Sequence, residues 1–340
     1  MTINPLHIKY PFTKGASQYI RNLNIKTDEF LTARIYEPAR LLSIERVKNA
    51  LEDPEQGVRI PQIGDERELR NALLSYVGAR MVVSCIKDNF VITRYAIAEA
   101  KNAYENLKTE NEDIILKFAE EFEIDVKKGE TNYSIYFADY LFYSRNIREK
   151  DWSLLNSDMR NGHLTISKER VARLLQEAIT MKIRSELPLP VTDEIVNAFK
   201  ETINEIKHAV QQKYKKVNLE DFGELKIENL PPCIKKLLTD LQNGENLPHM
   251  ARFALTAYLH NVGLDADEII KIFSRTPDFN EKMTRYQVEH ITGKTSHTEY
   301  TSPTCKTMKS YGICFNPDKL CSQEWMKHPL IYYRAKSKAK

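Results

Sequence analysis

The sequence predicts a mainly α protein with two domains. Its 340 residues are about twice the usual length of one domain. Hydrophobic residues make up 42% of the chain, which is enough to form a core in each domain. Most segments repeat their apolar residues at the spacing of an α-helix, and only 11 glycines occur. We therefore expect a helical N-terminal domain with a small α/β insert, followed by a helical and loop-rich C-terminal domain.

The first hundred or so residues predict helices. Acidic residues follow Thr27, as at a capped helix start, and Pro38 is expected to divide this segment into two helices. Residues 65–108 carry apolar residues at helical spacing and are expected to be helical throughout. Cys85, in the middle of this segment, is predicted to be a buried core thiol rather than a ligand.

Residues 114–166 predict the α/β insert. β-branched and aromatic residues alternate there with Gly and Asn, which is typical of short strands and a hairpin. The insert holds more aromatic residues than one small sheet needs for its own core. They either form a two-sided core or provide a protein interface, because Tyr and Trp are enriched at interfaces. The candidate interface residues are Tyr133, Tyr136, Tyr140, Phe142, Tyr143 and Trp152.

Two more helices complete the N-terminal domain. One is predicted to be capped by Ser167, and a second is expected from Thr192 to about Lys215. The apolar period is then lost. We therefore place the N-terminal domain at residues 1–213, a linker at 214–224 and the C-terminal domain at 225–340.

The C-terminal domain is predicted to begin with a helix that follows two prolines and carries Cys233 in its first turn. Another helix is expected to end at Gly263. Asp265 and Asp267 resemble the paired carboxylates that hold metals in polymerases, but Asp265 with Glu268 matches a capping box, so a helix cap is the favoured interpretation. From Asn280 onward the helical period fades, which predicts a loop-rich region.

Four of the five cysteines lie in this domain. Eight residues separate Cys305 from Cys314, six separate Cys314 from Cys321, and Cys233 lies 72 positions before Cys305. These spacings match neither a zinc ribbon nor a ferredoxin-type pattern. Thiols gathered among turn residues nevertheless suggest a soft metal or a cluster, which would join the first helix of the domain to its last segment. Spacing alone leaves the metal open.

Charge and the remaining motifs narrow the function classes. From Lys226 onward there are 17 Lys+Arg and 12 Asp+Glu, against 33 and 35 in the rest of the chain, which indicates either a phosphate-binding surface or a solvated face. No P-loop, dinucleotide-binding, HExxH or GxSxG motif occurs. No signal peptide or run of about 18 apolar residues occurs, so a cytoplasmic protein without a membrane partner is expected.

An ordered set of segments spans the whole C-terminal domain. These are LPPCIKKLL, LPHMARFALTAYLHNVGL, FNEKMTRYQVEHITGK, the run Y-TSPTCKTM with GIC, and a last cysteine before HPLIYY. In these segments the domain resembles the large, iron–sulfur subunit of archaeal and eukaryotic DNA primase, and the N-terminal layout is similar to the archaeal members.

The resemblance implies a [4Fe-4S] cluster held by Cys233, Cys305, Cys314 and Cys321. It also implies that this domain binds the single-stranded DNA template, the RNA primer and the 5′-triphosphate of the initiating nucleotide. The matching residues are His249, Arg252, Tyr286, Gln287 and His290. Gln287 replaces the usual Asn, and Glu289 replaces a basic residue of eukaryotic relatives. Without the resemblance, these residues would be interpreted as a surface pair, a core tyrosine and a loop hydrogen bond.

The resemblance further implies a noncatalytic subunit that forms a heterodimer with a small catalytic primase subunit, which carries the polymerase carboxylates and uses nucleoside triphosphates. The aromatic insert is the expected docking surface, and a third accessory subunit is possible within the family. The alternative is a stand-alone nucleic-acid-binding module with structural zinc. A redox enzyme is less favoured, because no flavin or nicotinamide motif accompanies the cysteines.

Overall fold

The computed structural model describes residues 3–58, 64–145, 147, 150–152, 154, 157–213, 226–296 and 298–338. The chain divides into two compact units, Met1–His208 and Ala209–Lys340. The predicted linker at residues 214–224 lies outside the described residues. The predicted fold class is confirmed, because helices account for most of the chain and the described strands form one small sheet.

Helices build most of the first unit. The segment after Thr27 forms two helices as predicted, joined by a short 3-10 turn, Arg34–Tyr36, and Pro38 lies in the first turn of the second helix. The segment 65–108 forms two helices rather than one. Lys87 adopts the left-handed conformation (φ 55°), and Asp88 then caps the next helix by accepting a hydrogen bond from the Phe90 amide at 2.8 Å. The helices are α1 (Leu6–Lys9), α2 (Lys14–Asn22), α3 (Thr27–Thr32), α4 (Glu37–Glu52), α5 (Glu66–Ile86), α6 (Asn89–Thr109), α7 (Glu112–Glu121), α8 (Phe137–Ser144), α9 (Lys168–Glu186), α10 (Asp193–Ala198) and α11 (Lys200–Lys213).

The core of the first unit lies between long helices. α4 packs along α5, and α6 packs along α9. At Gly78 the α4 and α5 backbones approach so closely that a Cβ atom would overlap the side chain of Ser43. One ion pair is buried in this core, where Arg46 Nε and Nη2 contact the Glu99 carboxylate at 2.5 and 2.7 Å. Cys85 is 7% exposed and lies in the core, as predicted.

The insert contains the predicted strands, which form an antiparallel sheet in the order β1-β2-β4-β3. Alternate residues face the core, because side chains on a strand point to opposite faces. Ile135 pairs with Leu164, and Tyr133 pairs with Ile166, and all four side chains are buried. The strands are β1 (Val126–Lys128), β2 (Tyr133–Tyr136), β3 (Met159–Arg160) and β4 (His163–Ile166).

The six aromatic residues of the insert divide between the core and the surface. Tyr133 and Tyr140 are 3% and 0% exposed, so a partner could not contact them directly, and the predicted interface is corrected at these two positions. Tyr140 stacks on Trp152 with ring centres 5.8 Å apart and donates a hydrogen bond to its carbonyl. Tyr136 and Phe142 are 39% and 45% exposed. Tyr143 is half-buried beside Phe142.

The end of the first unit follows the prediction with one difference. Ser167 caps α9 as expected, since its hydroxyl accepts a hydrogen bond from the Arg170 amide at 3.3 Å. The helix expected from Thr192 to about Lys215 is instead two helices, because the backbone leaves the helical conformation at Phe199. The last residues of α11 belong to the second unit.

The second unit packs its helices around one apolar core. Leu237, Leu241, Leu255, Leu259 and Phe273 are among its fully or almost fully buried side chains. The region predicted to be loop-rich after Asn280 contains three helices, so that prediction is wrong in part. The helices are α12 (Pro232–Gln242), α13 (His249–Asn261), α14 (Ala266–Phe273), α15 (Glu281–Ile291), α16 (Cys305–Ser310) and α17 (Pro329–Lys338).

Candidate metal centre and nucleic-acid interface

Cys233 is held rigidly at the start of α12. Pro231 precedes α12 and Pro232 is its first residue. The amide at that position has no hydrogen-bond partner within a helix, so a proline there loses no bond. Cys233 therefore lies in the first turn, as the sequence predicts. It is only 9% exposed and packs in the apolar core of the unit.

The other three candidate ligands lie on the closing segment, residues 302–328. Cys305 is the first residue of α16, and the Thr304 hydroxyl caps that helix by accepting a hydrogen bond from the Thr307 amide. Cys314 follows a turn at Gly312, where φ is +67°. The Cys321 amide donates to Asp318 Oδ1 at 2.9 Å, which fixes the third ligand.

Two backbone stretches of the closing segment run side by side. The Cys305 amide donates to the Lys327 carbonyl at 2.9 Å. His328 Nδ1 accepts from the Leu330 amide, so Nε2 carries the proton and donates to the Ser302 carbonyl at 2.7 Å. The Tyr332 hydroxyl of α17 donates to Asp318 Oδ2 at 2.6 Å. These contacts tie the ends of the closing segment to each other and to the last helix.

The four thiols affect one another electrostatically. Burial raises the pKa of Cys233 to about 12, and the charges of Cys314, Cys305 and Cys321 add to this effect. Burial also raises the pKa of Cys305, with Cys314 contributing. It likewise raises the pKa of Cys321, with Asp318 and Cys305 contributing. Cys233, Cys305, Cys314 and Cys321 all belong to the second unit, while Cys85 belongs to the first.

The four cysteines are the candidate donors for a metal group. Among the described residues, no three His, Cys, Asp or Glu side chains form a group that could hold a metal ion as they stand. The Tyr258 hydroxyl is buried and has no hydrogen-bond partner within the described part of the chain. Burial raises its pKa, and the charges of Tyr333 and Cys233 add to the rise. Tyr258 and Cys233 belong to the same apolar core. A bound group with sulfur acceptors would supply the missing partner, so the residues present fit a thiolate-bound metal group.

Three candidate nucleic-acid residues lie on α15, which the sequence did not predict as a helix. Asn280 caps it by accepting a hydrogen bond from the Met283 amide at 2.9 Å, and Gly293 ends it with φ at +82°. Thr284 and Val288 are its buried residues. Two buried positions make a weak apolar period, which explains why the helix was missed.

Tyr286 and His290 are one helical turn apart and begin an aromatic row, which comprises Tyr286, His290, Tyr300 and Phe253. Tyr286 is 62% exposed, and its ring centre lies 6.3 Å from that of His290. His290 stacks on Tyr300 at 5.7 Å, and Tyr300 meets Phe253 edge-on at 5.7 Å. The Tyr300 amide donates to the Ile291 carbonyl at 3.0 Å, which holds this tyrosine against α15.

Sequence reasoning missed Tyr300 and Phe253. Phe253 directly follows Arg252 in the segment that carries the resemblance, and Tyr300 lies in the run before Cys305. Their aromatic character was the available signal, but Tyr300 contacts His290 and Phe253 contacts Tyr300, so the row joins three separate parts of the chain. Gln287, between Tyr286 and His290 in the sequence, is half-buried on α15.

His249 and Arg252 are placed differently although both lie on α13. His249 is exposed at the start of the helix, whereas Arg252 is 7% exposed. Arg252 Nη2 contacts both Asp278 oxygens at 2.8 and 3.1 Å, and Nε donates to the Leu247 carbonyl at 3.1 Å. A phosphate would therefore compete with Asp278 for this guanidinium. These contacts make Arg252 a residue that connects α13 to the turn after α14.

The acidic residues around α14 and α15 take structural roles. Asp265 and Glu268 form the predicted capping box, with both hydrogen bonds at 2.8 Å. Arg285 contacts Asp267 at 2.7 Å. Glu289 pairs with Lys294 at 3.2 Å and thereby offsets part of the positive charge near the aromatic row. A separate search found no helix in the described ranges with the length and apolar content needed to cross a membrane.

The chain was then compared with known proteins. Residues 223–328 match the family model described as the C-terminal domain of the large subunit of eukaryotic and archaeal DNA primase. The chain is 42% identical over 328 residues to the DNA primase large subunit PriL of Methanosarcina mazei, covering 96% of this chain and 87% of that protein. It is 35% identical over 352 residues to the PriL of Halobacterium salinarum, covering 98% of this chain and 94% of that protein.

Proposed function

The chain belongs to the family of archaeal DNA primase large subunits, and from this premise we propose how it serves the primase complex. It is the regulatory subunit for synthesis of the primers that start DNA replication. We propose that it has no polymerase activity of its own. It supports initiation by binding the template and the 5′-triphosphate of the first nucleotide. Asp265 and Asp267 support this, because their carboxylates are used in a helix cap and an ion pair.

We propose that Cys233, Cys305, Cys314 and Cys321 hold a [4Fe-4S] cluster. A single zinc ion, with bonds of about 2.3 Å, would need sulfur atoms roughly 4 Å apart. Two observations support the proposal: the charges of the other three thiols contribute to the raised pKa of Cys233, and the buried Tyr258 hydroxyl lacks a hydrogen-bond partner among the described residues. When bound, the cluster supplies four iron–thiolate bonds that cross-link α12 to the closing segment.

Metal analysis of anaerobically purified protein separates the cluster from structural zinc. We expect roughly four iron atoms and as much acid-labile sulfide per chain. One zinc per chain without iron would favour the alternative of a zinc-stabilised nucleic-acid-binding module. Cys85→Ser is the matched control, because that thiol lies in the core of the first unit and is expected to leave the iron content unchanged.

The aromatic row on α15 is proposed as the binding surface for the template base or the initiating base. Tyr286 presents an exposed ring at the end of the row, and base–aromatic stacking is a common way to hold an unpaired base. Tyr300 fixes the ring of His290, which leaves that imidazole half-buried beside Tyr286. His249 is exposed and is the proposed phosphate contact from α13. Gln287 is proposed as a polar contact to the nucleotide.

Arg252 is proposed to support triphosphate binding indirectly in this conformation, by holding the backbone that presents His249, and not by contacting the phosphates itself. Its ion pair with Asp278 connects the start of α13, where His249 lies, to the turn after α14. Loss of this pair would disturb the backbone that presents His249. Direct phosphate contact, as the family resemblance implies, would require Arg252 to leave Asp278.

The small catalytic subunit is proposed to dock on the exposed aromatic and aliphatic side chains of the insert. Tyr136 and Phe142 carry this surface, and Leu141 and Met159 are also exposed, at 44% and 53%. Tyr143 and Trp152, both half-buried, lie at its margin. Exposed aromatic clusters of this kind are typical of protein interfaces. The DNA template, RNA primer, nucleoside triphosphates and any third subunit remain proposed partners of the heterodimer.

The test of the initiation role uses the reconstituted heterodimer. The large subunit alone is expected to make no primers, whereas the heterodimer makes them. Tyr286→Ala is expected to lower formation of the first dinucleotide at least tenfold while extension of a supplied primer changes less than twofold, in line with about 1–3 kcal/mol for one stacked base. Met283→Ala is the control, because Met283 is 58% exposed on the same helix and lies outside the aromatic row. Equal loss of both steps would contradict the initiation role.

A further inference from the structure

The closing segment carries a second cluster of side chains suited to nucleic acid, apart from α15. Lys306 and Lys309 are three residues apart on α16 and therefore lie on one face of that helix. Lys327 is brought beside them by the hydrogen bond from the Cys305 amide to the Lys327 carbonyl. All three lysines are exposed. None of the three forms an ion pair with any residue that the structure describes.

An exposed tryptophan lies beside these cations. Trp325 is 51% exposed, and the Lys327 amide donates to its carbonyl at 3.0 Å, so the two side chains belong to one turn. Tyr311, at the end of α16, is also exposed, at 46%. Of the nearby acids, Asp318 is engaged by Tyr332 and Cys321, and Glu324 is exposed next to Trp325. The local excess of charge is therefore positive.

We propose that Lys306, Lys309, Lys327 and Trp325 form a binding face for single-stranded nucleic acid. Unpaired lysines attract the phosphate backbone, and an exposed indole ring stacks on an unpaired base. A duplex would hide its base faces from Trp325, so the single strand is the partner that uses both kinds of side chain. This inference rests on the template binding of the proposed function and extends it from the residues of α13 and α15 to the closing segment.

The metal centre gives this surface its shape. Cys305 precedes Lys306 directly, and Cys321 lies four residues before Trp325. Cross-linking of these cysteines to α12 would hold the lysines and the tryptophan in one arrangement. The cysteine bonds that stabilise the closing segment would therefore also position its binding residues for single-stranded nucleic acid.

The salt dependence of binding tests the proposal. Fluorescence anisotropy of a labelled single-stranded oligonucleotide would be measured with the full chain, purified anaerobically, across a range of salt concentrations. Replacing three phosphate contacts by Lys306→Gln, Lys309→Gln and Lys327→Gln is expected to reduce the slope of log K against log salt by about 2. The control carries Lys14→Gln, Lys26→Gln and Lys271→Gln, three exposed lysines outside the closing segment, and is expected to keep the wild-type slope.

The role of Trp325 has its own readout. Trp325→Ala is expected to weaken single-strand binding about fivefold or more without changing the salt slope, whereas Trp325→Phe keeps most of the affinity. Binding of a duplex of equal length is expected to change less. Iron content is measured in each variant to establish that the closing segment is intact.

Three outcomes would overturn the proposal. They are an unchanged salt slope in the triple variant, equal losses for Trp325→Ala on single strand and duplex, and a surface that binds an acidic polypeptide but no oligonucleotide. Tyr286 and His290 stay wild type in all these variants, and no catalytic subunit or nucleoside triphosphate is present. If the wild-type chain binds the oligonucleotide and the variants bind it equally well, this surface is overturned while the proposed template binding stands; if the wild-type chain binds no oligonucleotide, both are overturned.

Discussion

The first unit and the closing segment of the second are held together in different ways. In the first unit, α5 and α6 are 21 residues long each and bury whole stripes of apolar side chains. The closing segment has one six-residue helix, and Met308, Ile313 and Met326 are its buried apolar residues. The stabilisation from the hydrophobic effect is roughly proportional to the apolar area buried, so the few buried residues of the closing segment contribute little stability. Where a core is sparse, bonds from a metal group can replace it.

The first unit and the closing segment also use their polar interactions differently. The first unit buries the Arg46–Glu99 ion pair completely, with side-chain exposures of 3% and 1%. The closing segment relies on Asp318. Burial raises the pKa of this carboxyl, but hydrogen bonds from Tyr332 and Cys321 lower it by more, so the pKa lies below its ordinary value. Asp318 thereby stays a carboxylate that can accept both hydrogen bonds. One region thus uses polar groups inside a packed core, and the other uses them to shape a loop around thiols.

Removal of one cysteine ligand should break the closing segment and spare the first unit, and this is the largest expected effect. Cys305→Ser is expected to lose the iron and to expose the segment to protease, because binding free energy of the metal group is folding free energy there. Cys85→Ser, in the core of the first unit, is expected to keep both iron and protection. Iron analysis and limited proteolysis of the two variants make the comparison. Full protection in Cys305→Ser would contradict the account.

The buried ion pair offers the opposite test, in which the first unit is weakened and the closing segment is spared. Glu99→Ala leaves Arg46 charged in the core and is expected to lower the free energy of unfolding by about 3–5 kcal/mol. Glu205→Ala breaks the exposed Lys48–Glu205 pair and should cost less than about 1 kcal/mol. Chemical denaturation measures both, with iron content as the check on the second unit. Equal effects of the two variants would mean that burial of the pair does not matter.

The Arg252–Asp278 pair sharpens the comparison within the second unit. Arg252→Ala is expected to lower its stability by about 2–3 kcal/mol, less than Glu99→Ala, because the Asp278 side chain keeps 21% exposure. If Arg252 acts by position, Asp278→Ala weakens binding of a nucleoside triphosphate as well. Tighter triphosphate binding by Asp278→Ala would instead mean that the released guanidinium contacts phosphate directly. Calorimetric titration of the full chain distinguishes the two results.

The exposed pair between Asp267 and Arg285 should give the smallest effect. A hydrogen bond from Arg285 and its charge lower the pKa of Asp267. A lowered pKa in the folded state adds stability above the ordinary pKa of the carboxyl, and this contribution is lost as the pH falls through the lowered value. Asp267→Asn is therefore expected to lower the melting temperature slightly at neutral pH and low salt, and not at acid pH. A difference that persists in high salt would contradict the electrostatic origin.

Local sequence signals predicted much of the fold correctly. Capping residues and prolines act on their own neighbours, so Ser167, Pro232 and the Asp265 capping box could be identified without tertiary information. The β-branched and aromatic residues of the insert, together with its Gly and Asn residues, likewise predicted its strands. Breaks inside long apolar patterns were harder, because the turn at Lys87–Asp88 interrupts the helix without a proline or glycine.

The features that were not predicted depend on contacts between distant parts of the chain. α15 was missed because it buries only Thr284 and Val288, and its aromatic row depends on Tyr300 from a later loop. His249 and Arg252 lie on the helix that the sequence predicted to end near Gly263. That prediction carried no information on Asp278, which pairs with the buried Arg252 side chain. The four cysteines could be grouped by their type, whereas their shared environment required the fold.

Hydrogen–deuterium exchange of the full chain before and after removal of iron tests most directly that the metal centre, and not an apolar core, holds the closing segment. After chelation, we expect the amides of Cys305 and Cys321 and their neighbours in residues 302–328 to lose protection. Amides in α5 and α6 are expected to exchange as slowly as before, because their burial does not depend on the cysteines of the second unit. Unchanged protection across residues 302–328 after complete loss of iron would contradict the account.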